Sequence, residues 1–387
     1  ALRRLYRDML MAGTEAPTAS GPGNAVLLAR VDRLMAAGLL DDADALLNAI
    51  GVWDPELFRR AFDIGLLTGQ ADLRCEQLRQ SPGLSPRLPT RVFCLARQGD
   101  WSAAALTLNL GSEVGDISPE EEALLARFLD PQLYEGVPPP PIPQPLTTLT
   151  YVLREAVALP RPNRPLPLAF LRPDATDDAP LRARIEARER LVRAGAMPAK
   201  KLFEAYRTGK PAASGGVWDH AAAVQALDRA FAIGAVPEIA EAMREADEVL
   251  SYVGLRPAVA QTYAVQIAAL PPGQLSARDR EELGGLLLLA GRAKDALAML
   301  PVNNKLGLRV LVALASGSDV YPESRSLSTL ETAIAQGMTV AEPPSSAASI
   351  AMAHLARGQT GAALMIAIRL LSPGVEVDPG DLAEGLY

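Results

Sequence analysis

The residue types that most often carry chemistry are scarce in this sequence. Among 387 residues there are two cysteines, Cys75 and Cys94, and two histidines, His220 and His354. A metal site built from Cys and His needs three or four ligands close together, and four scattered residues can hardly supply one. We therefore expect no metal and no cofactor. His220 is expected to cap a helix or lie at the surface, and His354 to pack in a helix seam.

The two cysteines fall in neighbouring predicted helices, at 72–79 and 90–97, joined by the loop 81–86. At a rise of roughly 1.5 Å per residue they lie within about 5 Å in height on antiparallel helices. Packed helices can bring Cα atoms within the roughly 4.4–6.8 Å of a disulfide. The sequence therefore permits a Cys75–Cys94 bond, which would indicate an oxidising compartment, in a bacterium the periplasm. The alternative is two buried free thiols. A catalytic cysteine is not favoured, because no histidine is near either one in the sequence.

The carboxylates and glycines form no recognisable catalytic motif. Soluble lytic transglycosylases place a serine after their catalytic glutamate, and Glu323-Ser324 is the one such pair here. The Gly-Leu-Met-Gln sequence of those enzymes does not follow it, so we interpret the pair as part of a loop. Gly284, Gly285 and Gly291 lack the spacing of a phosphate-binding loop. We therefore expect that the chain is not an enzyme.

Apolar residues recur at intervals of three and four along most of the chain, which predicts a nearly all-α protein. The helices come in pairs, with a glycine between the two members and Ala-Leu soon after; these glycines are Gly38, Gly69, Gly99, Gly291 and Gly358. Glycine ends a helix readily in the left-handed conformation, and small residues allow helices to approach closely. The pattern resembles degenerate tetratricopeptide-like and other α-solenoid repeats, although a strict 34-residue period is absent. That resemblance implies a right-handed α-solenoid of stacked helix hairpins.

A proline-rich segment divides the sequence. Residues 137–145 contain six prolines and must be extended. We interpret the segment as a stiff linker between an N-terminal lobe, 1–136, and a C-terminal solenoid lobe, 146–387. The alternative is a docking site for a proline-binding module. A second irregular stretch, 160–180, is expected to wrap along the solenoid surface.

One predicted helix, 182–193, is rich in arginine and glutamate. Its arginines are Arg182, Arg184, Arg188, Arg190 and Arg193. Ion pairs at three- and four-residue spacing on a solvated face account for the pattern. The alternative is a contact face for an acidic protein partner.

The net charge and the hydropathy pattern limit the classes of partner and the cellular locations that fit this sequence. The formal net charge is −7, which is unfavourable for nucleic-acid binding, because such binding depends on clustered Lys and Arg. No apolar run reaches the 18 residues of a membrane span. The sequence begins without Met, and we interpret it as processed or trimmed, so a signal peptide or anchor could have preceded it.

The hairpin pattern and composition resemble uncharacterised periplasmic envelope scaffolds of alphaproteobacteria. This resemblance implies a non-catalytic protein-binding scaffold in a cell-envelope assembly, such as a flagellar motor, a pilus or a peptidoglycan-linked complex. Two alternatives are kept open. One is the accessory solenoid of a peptidoglycan lytic enzyme, and the other is a cytosolic peptide-binding regulator.

Overall fold

The structure is a computed structural model, which describes residues 2–13, 24–51, 53–209 and 215–301. All regular elements within these residues are helices, which confirms the all-α prediction for the described part of the chain. The α-helices are α1 Leu2–Met11, α2 Ala25–Ala36, α3 Leu40–Asn48, α4 Pro55–Thr68, α5 Ala71–Gln80, α6 Leu88–Arg97, α7 Trp101–Glu113, α8 Pro119–Leu129, α9 Thr148–Ala156, α10 Leu181–Ala194, α11 Ala199–Tyr206, α12 Val217–Ile233, α13 Val236–Tyr252, α14 Arg256–Ala268, α15 Ala277–Leu289 and α16 Ala293–Met299.

The helix contacts divide the chain into two compact units. The described residues of the first unit lie in 2–226 and 249–258, and those of the second lie in 227–248 and 259–301. In both units consecutive helices make the most extensive contacts, as in α4 with α5, α6 with α7 and α15 with α16. This agrees with the predicted pairing of helices.

Glycines end helices where the sequence places them. Gly38, Gly69, Gly99 and Gly291 all have positive φ, between 76° and 87°. Residues with a Cβ resist this conformation, so a glycine closes the first helix of each pair. Gly358 lies outside the described residues. The predicted side-chain cap of the second helix is present at α7, where the Asp100 side chain accepts a hydrogen bond from the Ala103 N–H at 3.1 Å. It is absent at α3, α5 and α16.

Aromatic residues join the central helices of the first unit. Phe58 and Phe62 of α4 lie beside each other with ring centroids 6.2 Å apart, and Phe62 meets Phe93 of α6 edge-on at 5.9 Å. Phe93 in turn stacks on Phe128 of α8. Such pairs stabilise a core by about 0.5–1.5 kcal/mol each beyond the area that they bury.

The proline-rich segment 137–145 lies within the first unit. Helix α9, which follows it, packs against α4 and α8, which precede it. The buried guanidinium of Arg127 donates to the Pro138 carbonyl oxygen at 2.8 Å, and that of Arg154 donates to the Pro140 carbonyl oxygen at 3.1 Å. The compact units therefore differ from the predicted lobes 1–136 and 146–387, because helices on both sides of the proline-rich segment share one core.

In the second unit, α12 and α14 meet through an aromatic pair. Phe231 and Tyr263 stack with ring centroids 5.7 Å apart and planes within 8°. The buried Tyr263 hydroxyl donates a hydrogen bond to Asp228 at 2.8 Å. A polar tip that is hydrogen-bonded in this way allows a large ring to be buried without an unpaired hydroxyl.

Candidate functional site

The structure joins Cys75 of α5 to Cys94 of α6 by a disulfide, with 5.1 Å between the Cα atoms. Both cysteines are almost fully buried, in the core that also contains Phe62 and Phe93. Of the two alternatives raised by the sequence, the structure contains the bonded one. The bond holds together the hairpin whose second helix borders the cleft described next.

A cleft of about 270 Å³ opens on the first unit. Three helices begin beside it: α4 at Pro55, α6 just after Arg87, and α9 just after Thr147. The helix dipoles place partial positive charge at these three starts, and the start of α6 also carries backbone N–H groups that no side chain caps. The cleft therefore combines a concave shape with partial positive charge.

Asp63 is one of two acidic residues that line this cleft, and it is the less exposed of the two. It lies on α4, and its side chain is 20% exposed. Its carboxylate Oδ2 lies 3.5 Å from Nη1 of Arg59, at the outer limit of a hydrogen bond. Burial raises the pKa of Asp63 to about 6, and the rise is limited by the charges of Arg59 and Arg87 and by a hydrogen bond with Thr148. A carboxyl group with this pKa changes its charge close to neutral pH.

Two arginines stand at the mouth of the cleft with much of their surface exposed. Arg59 is 42% exposed, and it contacts Glu56 and Asp63, each at 3.5 Å. Arg87 is 51% exposed and donates to Glu121 at 2.9 Å. Each guanidinium carries five N–H donors. These contacts leave donors of both groups accessible to a ligand.

Of the three helices that begin beside the cleft, only α6 lacks a side-chain cap at its start. Asp54 caps α4 and Thr147 caps α9 through their side chains, whereas α6 has no side-chain cap. Thr90, in the first turn of α6, is only 7% exposed and lines the cleft. Among the described residues we find no hydrogen bond from its hydroxyl group. The Thr90 hydroxyl can therefore bond a polar occupant of the cleft.

Apolar side chains form the remaining walls of the cleft. Phe58, Phe62 and Phe170 supply aromatic surface, and Leu146 and Leu149 supply aliphatic surface. Ligand pockets typically combine such walls with a few convergent polar groups. This arrangement suits a ligand that has one polar end and one apolar end.

The arginines of α10 do not form a common exposed face. Arg188 is buried, and it donates to the carbonyl oxygens of Ala175 at 2.9 Å and Lys201 at 2.7 Å. Arg184 and Arg190 donate to the carbonyl oxygens of Asp177 and Leu166. Arg193 is exposed and donates to the carbonyl oxygen of Val253, and the exposed Arg182 pairs with Glu186. The predicted partner face is therefore divided, since several of these side chains hold the chain's own loops, including the irregular stretch 160–180, against α10.

His220 is buried, contrary to the expected surface or capping position. It lies at the start of α12, as predicted, but only 9% of it is exposed. Its Nδ1 is 2.6 Å from Oε1 of Glu189, and the Tyr206 hydroxyl donates to the same oxygen at 2.8 Å. Burial and the charge of Glu189 raise the pKa of Tyr206, which keeps the phenol protonated. The three groups satisfy one another inside the first unit.

Sequence reasoning missed the cleft, although one signal could have indicated it. Asp63 interrupts the apolar run 61–67 on the face of α4 that is otherwise buried. A carboxylate among buried core residues usually has a shifted pKa, and residues with shifted pKa values mark candidate functional sites. Of the motifs considered, Glu323-Ser324 and His354 lie outside the described residues.

The described part of the chain contains no cluster of three or more metal-ligating side chains. No helix in that part has both the length and the apolar character needed to cross a membrane. Comparison with protein-family models, curated proteins and solved structures finds no match to this chain. The function must therefore be argued from the residues themselves.

Proposed function

We propose that this chain is a non-catalytic, protein-binding scaffold of a bacterial cell-envelope assembly, such as a flagellar motor, a pilus or a peptidoglycan-linked complex. The cleft beside Asp63 is the observation that carries the proposal. Its lining contains guanidinium, carboxyl and hydroxyl groups together with aromatic walls, but no cysteine or histidine. Such a lining supplies recognition without a strong nucleophile.

The disulfide supports the periplasm as the location. Disulfides persist in oxidising compartments and are rare in the reducing cytosol. The Cys75–Cys94 bond is enclosed in a packed core, so it serves structure more readily than redox exchange.

Site-specific photo-crosslinking in the native host tests the proposal. A benzophenone amino acid replaces the exposed Pro86 in the lining of the cleft, and a matched variant carries it at the exposed Arg182 of α10. We expect a protein adduct of constant mass from position 86 and none of that mass from position 182. Failure to form any protein adduct at position 86 would contradict the scaffold proposal.

A second candidate function is acid–base catalysis within a peptidoglycan lytic complex. The raised pKa of Asp63, about 6, favours it, because general acids and bases act best when they titrate near the working pH. A turbidity assay with purified peptidoglycan separates the two candidates. Lysis by the wild-type protein that is lost in Asp63→Asn would replace the scaffold proposal, whereas we expect no lysis from either protein.

A further inference from the structure

The open end of α6 and the two arginines beside it make the cleft selective for one kind of ligand. Within the binding role proposed above, we infer that the cleft captures the C-terminal carboxylate of a partner protein whose last residue is apolar. The inference rests on that proposed function and names the chemistry of its site.

The groups that can bind an anion belong to the lining of one cleft. The first intrahelical bond of α6 runs from the Arg91 N–H to the Arg87 carbonyl oxygen, so the N–H groups of Leu88 and Thr90 precede the hydrogen-bonded ladder. Uncapped N–H groups at a helix start bind anions readily. Thr90 lies in the same turn, and both Thr90 and Arg87 line the cleft.

The arginines match a carboxylate in geometry and in charge. A guanidinium can donate two parallel hydrogen bonds to one carboxylate, and such charge-assisted bonds are stronger than neutral ones. Arg59 holds its present partners only at 3.5 Å, so a ligand carboxylate could displace them. Glu56 and Asp63 also line the cleft and would oppose a doubly charged phosphate more than a singly charged carboxylate.

The volume and the walls limit the rest of the ligand. A cleft of about 270 Å³ lies at the lower edge of the range of about 300–1,000 Å³ that holds small molecules. It can therefore take the end of a chain but not a folded surface. The rings of Phe58, Phe62 and Phe170 offer apolar contact to the last side chain.

Fluorescence anisotropy with labelled peptide pools tests the inference. The probes are hexapeptides with randomised last two positions, prepared as free acids and as C-terminal amides. We expect the acids to bind at least tenfold more tightly than the amides. Arg59→Gln and Arg87→Gln should each weaken acid binding about tenfold, because each removes a charge-assisted hydrogen bond.

Three further variants sharpen the result. Thr90→Val removes the hydroxyl at similar volume, and we expect binding to weaken several-fold. Asp63→Asn removes a competing negative charge and should tighten binding several-fold. Arg79→Gln is the matched control, because Arg79 is exposed and pairs with Glu76 on α5, outside the cleft lining. It should bind as the wild type does.

Equal binding of acids and amides, or no binding of either pool, would overturn the inference. It would also be overturned if an amidated peptide with an internal glutamate, or inorganic phosphate, competed as well as the free acids do. These outcomes are separable from failure of the scaffold proposal. A position-86 adduct that still forms while both pools fail leaves the scaffold in place, whereas a missing adduct contradicts the scaffold whatever the peptides do.

Discussion

At the scale of single residues, the surroundings of Asp63 disfavour its ionised form. Its nearest guanidinium, on Arg59, is at 3.5 Å, and burial dominates the shift of its pKa to about 6. A folded-state pKa above the ordinary value of 3.8 means that ionised Asp63 costs the folded protein stability. Residues with strongly shifted pKa values concentrate at functional sites, where a loss of folding stability is tolerated because the residue is needed for function.

Replacing Asp63 by Asn should stabilise the protein at pH 8. The folded state binds the Asp63 proton more tightly than the unfolded state does, so its stability falls as the pH rises from about 4 to about 6. Above that range Asp63→Asn should raise the free energy of unfolding by about 1–3 kcal/mol. At pH 4 the gain should disappear, because Asp63 is then protonated in the folded protein. Urea unfolding at pH 4 and pH 8 measures both values.

Asp72→Asn is the control for that experiment. Asp72 is exposed and pairs with Arg97 on the surface of the same unit. Surface pairs of this kind contribute about 0–1 kcal/mol, so its loss should change stability little. A destabilised Asp63→Asn protein at pH 8 would show that the contacts of Asp63 outweigh its burial.

The limits of sequence reasoning differ between these residues. Cys75 and Cys94 could be paired because both lie on one hairpin, where helix rise alone sets their relative height. Arg59 is one turn from Asp63 on the same helix, but the other neighbours, Arg87 and Thr148, come from separate segments. Nothing in local periodicity brings those two segments to α4. For the same reason the sequence could not show that Arg188 binds carbonyl groups of the chain itself.

At the scale of the elements, close approach between helices explains where glycine occurs inside them. Adjacent glycines on α15 illustrate the point. A Cβ on Gly284 would lie 2.7 Å from Cδ2 of Leu300, whereas a Cβ on Gly285 would meet nothing within 4 Å. Gly284 therefore permits the contact with the end of the next helix, and Gly285 lies on the open side.

The two glycines should respond to alanine with opposite signs. Gly284→Ala should lower the free energy of unfolding by about 1–3 kcal/mol, because the buried Leu300 must move. Gly285→Ala should raise it by about 0.5–1 kcal/mol, since alanine favours the helix and meets no neighbour. Urea unfolding of both variants gives the comparison. Equal effects would show that α15 does not pack tightly at Gly284.

The disulfide between α5 and α6 is expected to stabilise the first unit. The bond closes a loop with a sequence separation of 19 residues, for which chain entropy gives about 3 kcal/mol. The double variant Cys75→Ala/Cys94→Ala should therefore unfold at lower urea concentration, with a loss of about 2–4 kcal/mol. Reductant should destabilise the wild type and leave the double variant unchanged. If reductant has no effect on the wild type, the bond is not a source of stability.

Element ends were more predictable from the sequence than element neighbours. Positive φ is a local property, so the glycines that end α4 and α6 could be identified directly. The prolines of 137–145 predict an extended segment, but not what it lies against. The position of this segment is fixed by Arg127 and Arg154, because their buried guanidinium groups donate hydrogen bonds to carbonyl oxygens of the segment.

At the scale of the whole molecule, the regular elements of the described residues are all helices, and no family model, curated protein or solved structure matches the chain, so the proposed function is argued from the cleft. The solenoid arrangement was predicted from the pattern of paired helices, and it stays a prediction. A concave site needs no regular superhelix. The cleft is lined by α4, by α6 and α9 with the residues just before each of them, and by Phe170, and all of these belong to one compact unit.

The proposed periplasmic location leads to a prediction about the protein as it occurs in its host. Cells are quenched in acid, and all accessible and denatured thiols are then alkylated before any reductant is added. We expect no modified cysteine in the 387-residue chain at this step and two after reduction, because Cys75 and Cys94 are joined in the folded protein. A buried bond resists adventitious exchange during extraction. Two thiols modified before reduction would instead place the protein in a reducing compartment and favour the cytosolic peptide-binding regulator.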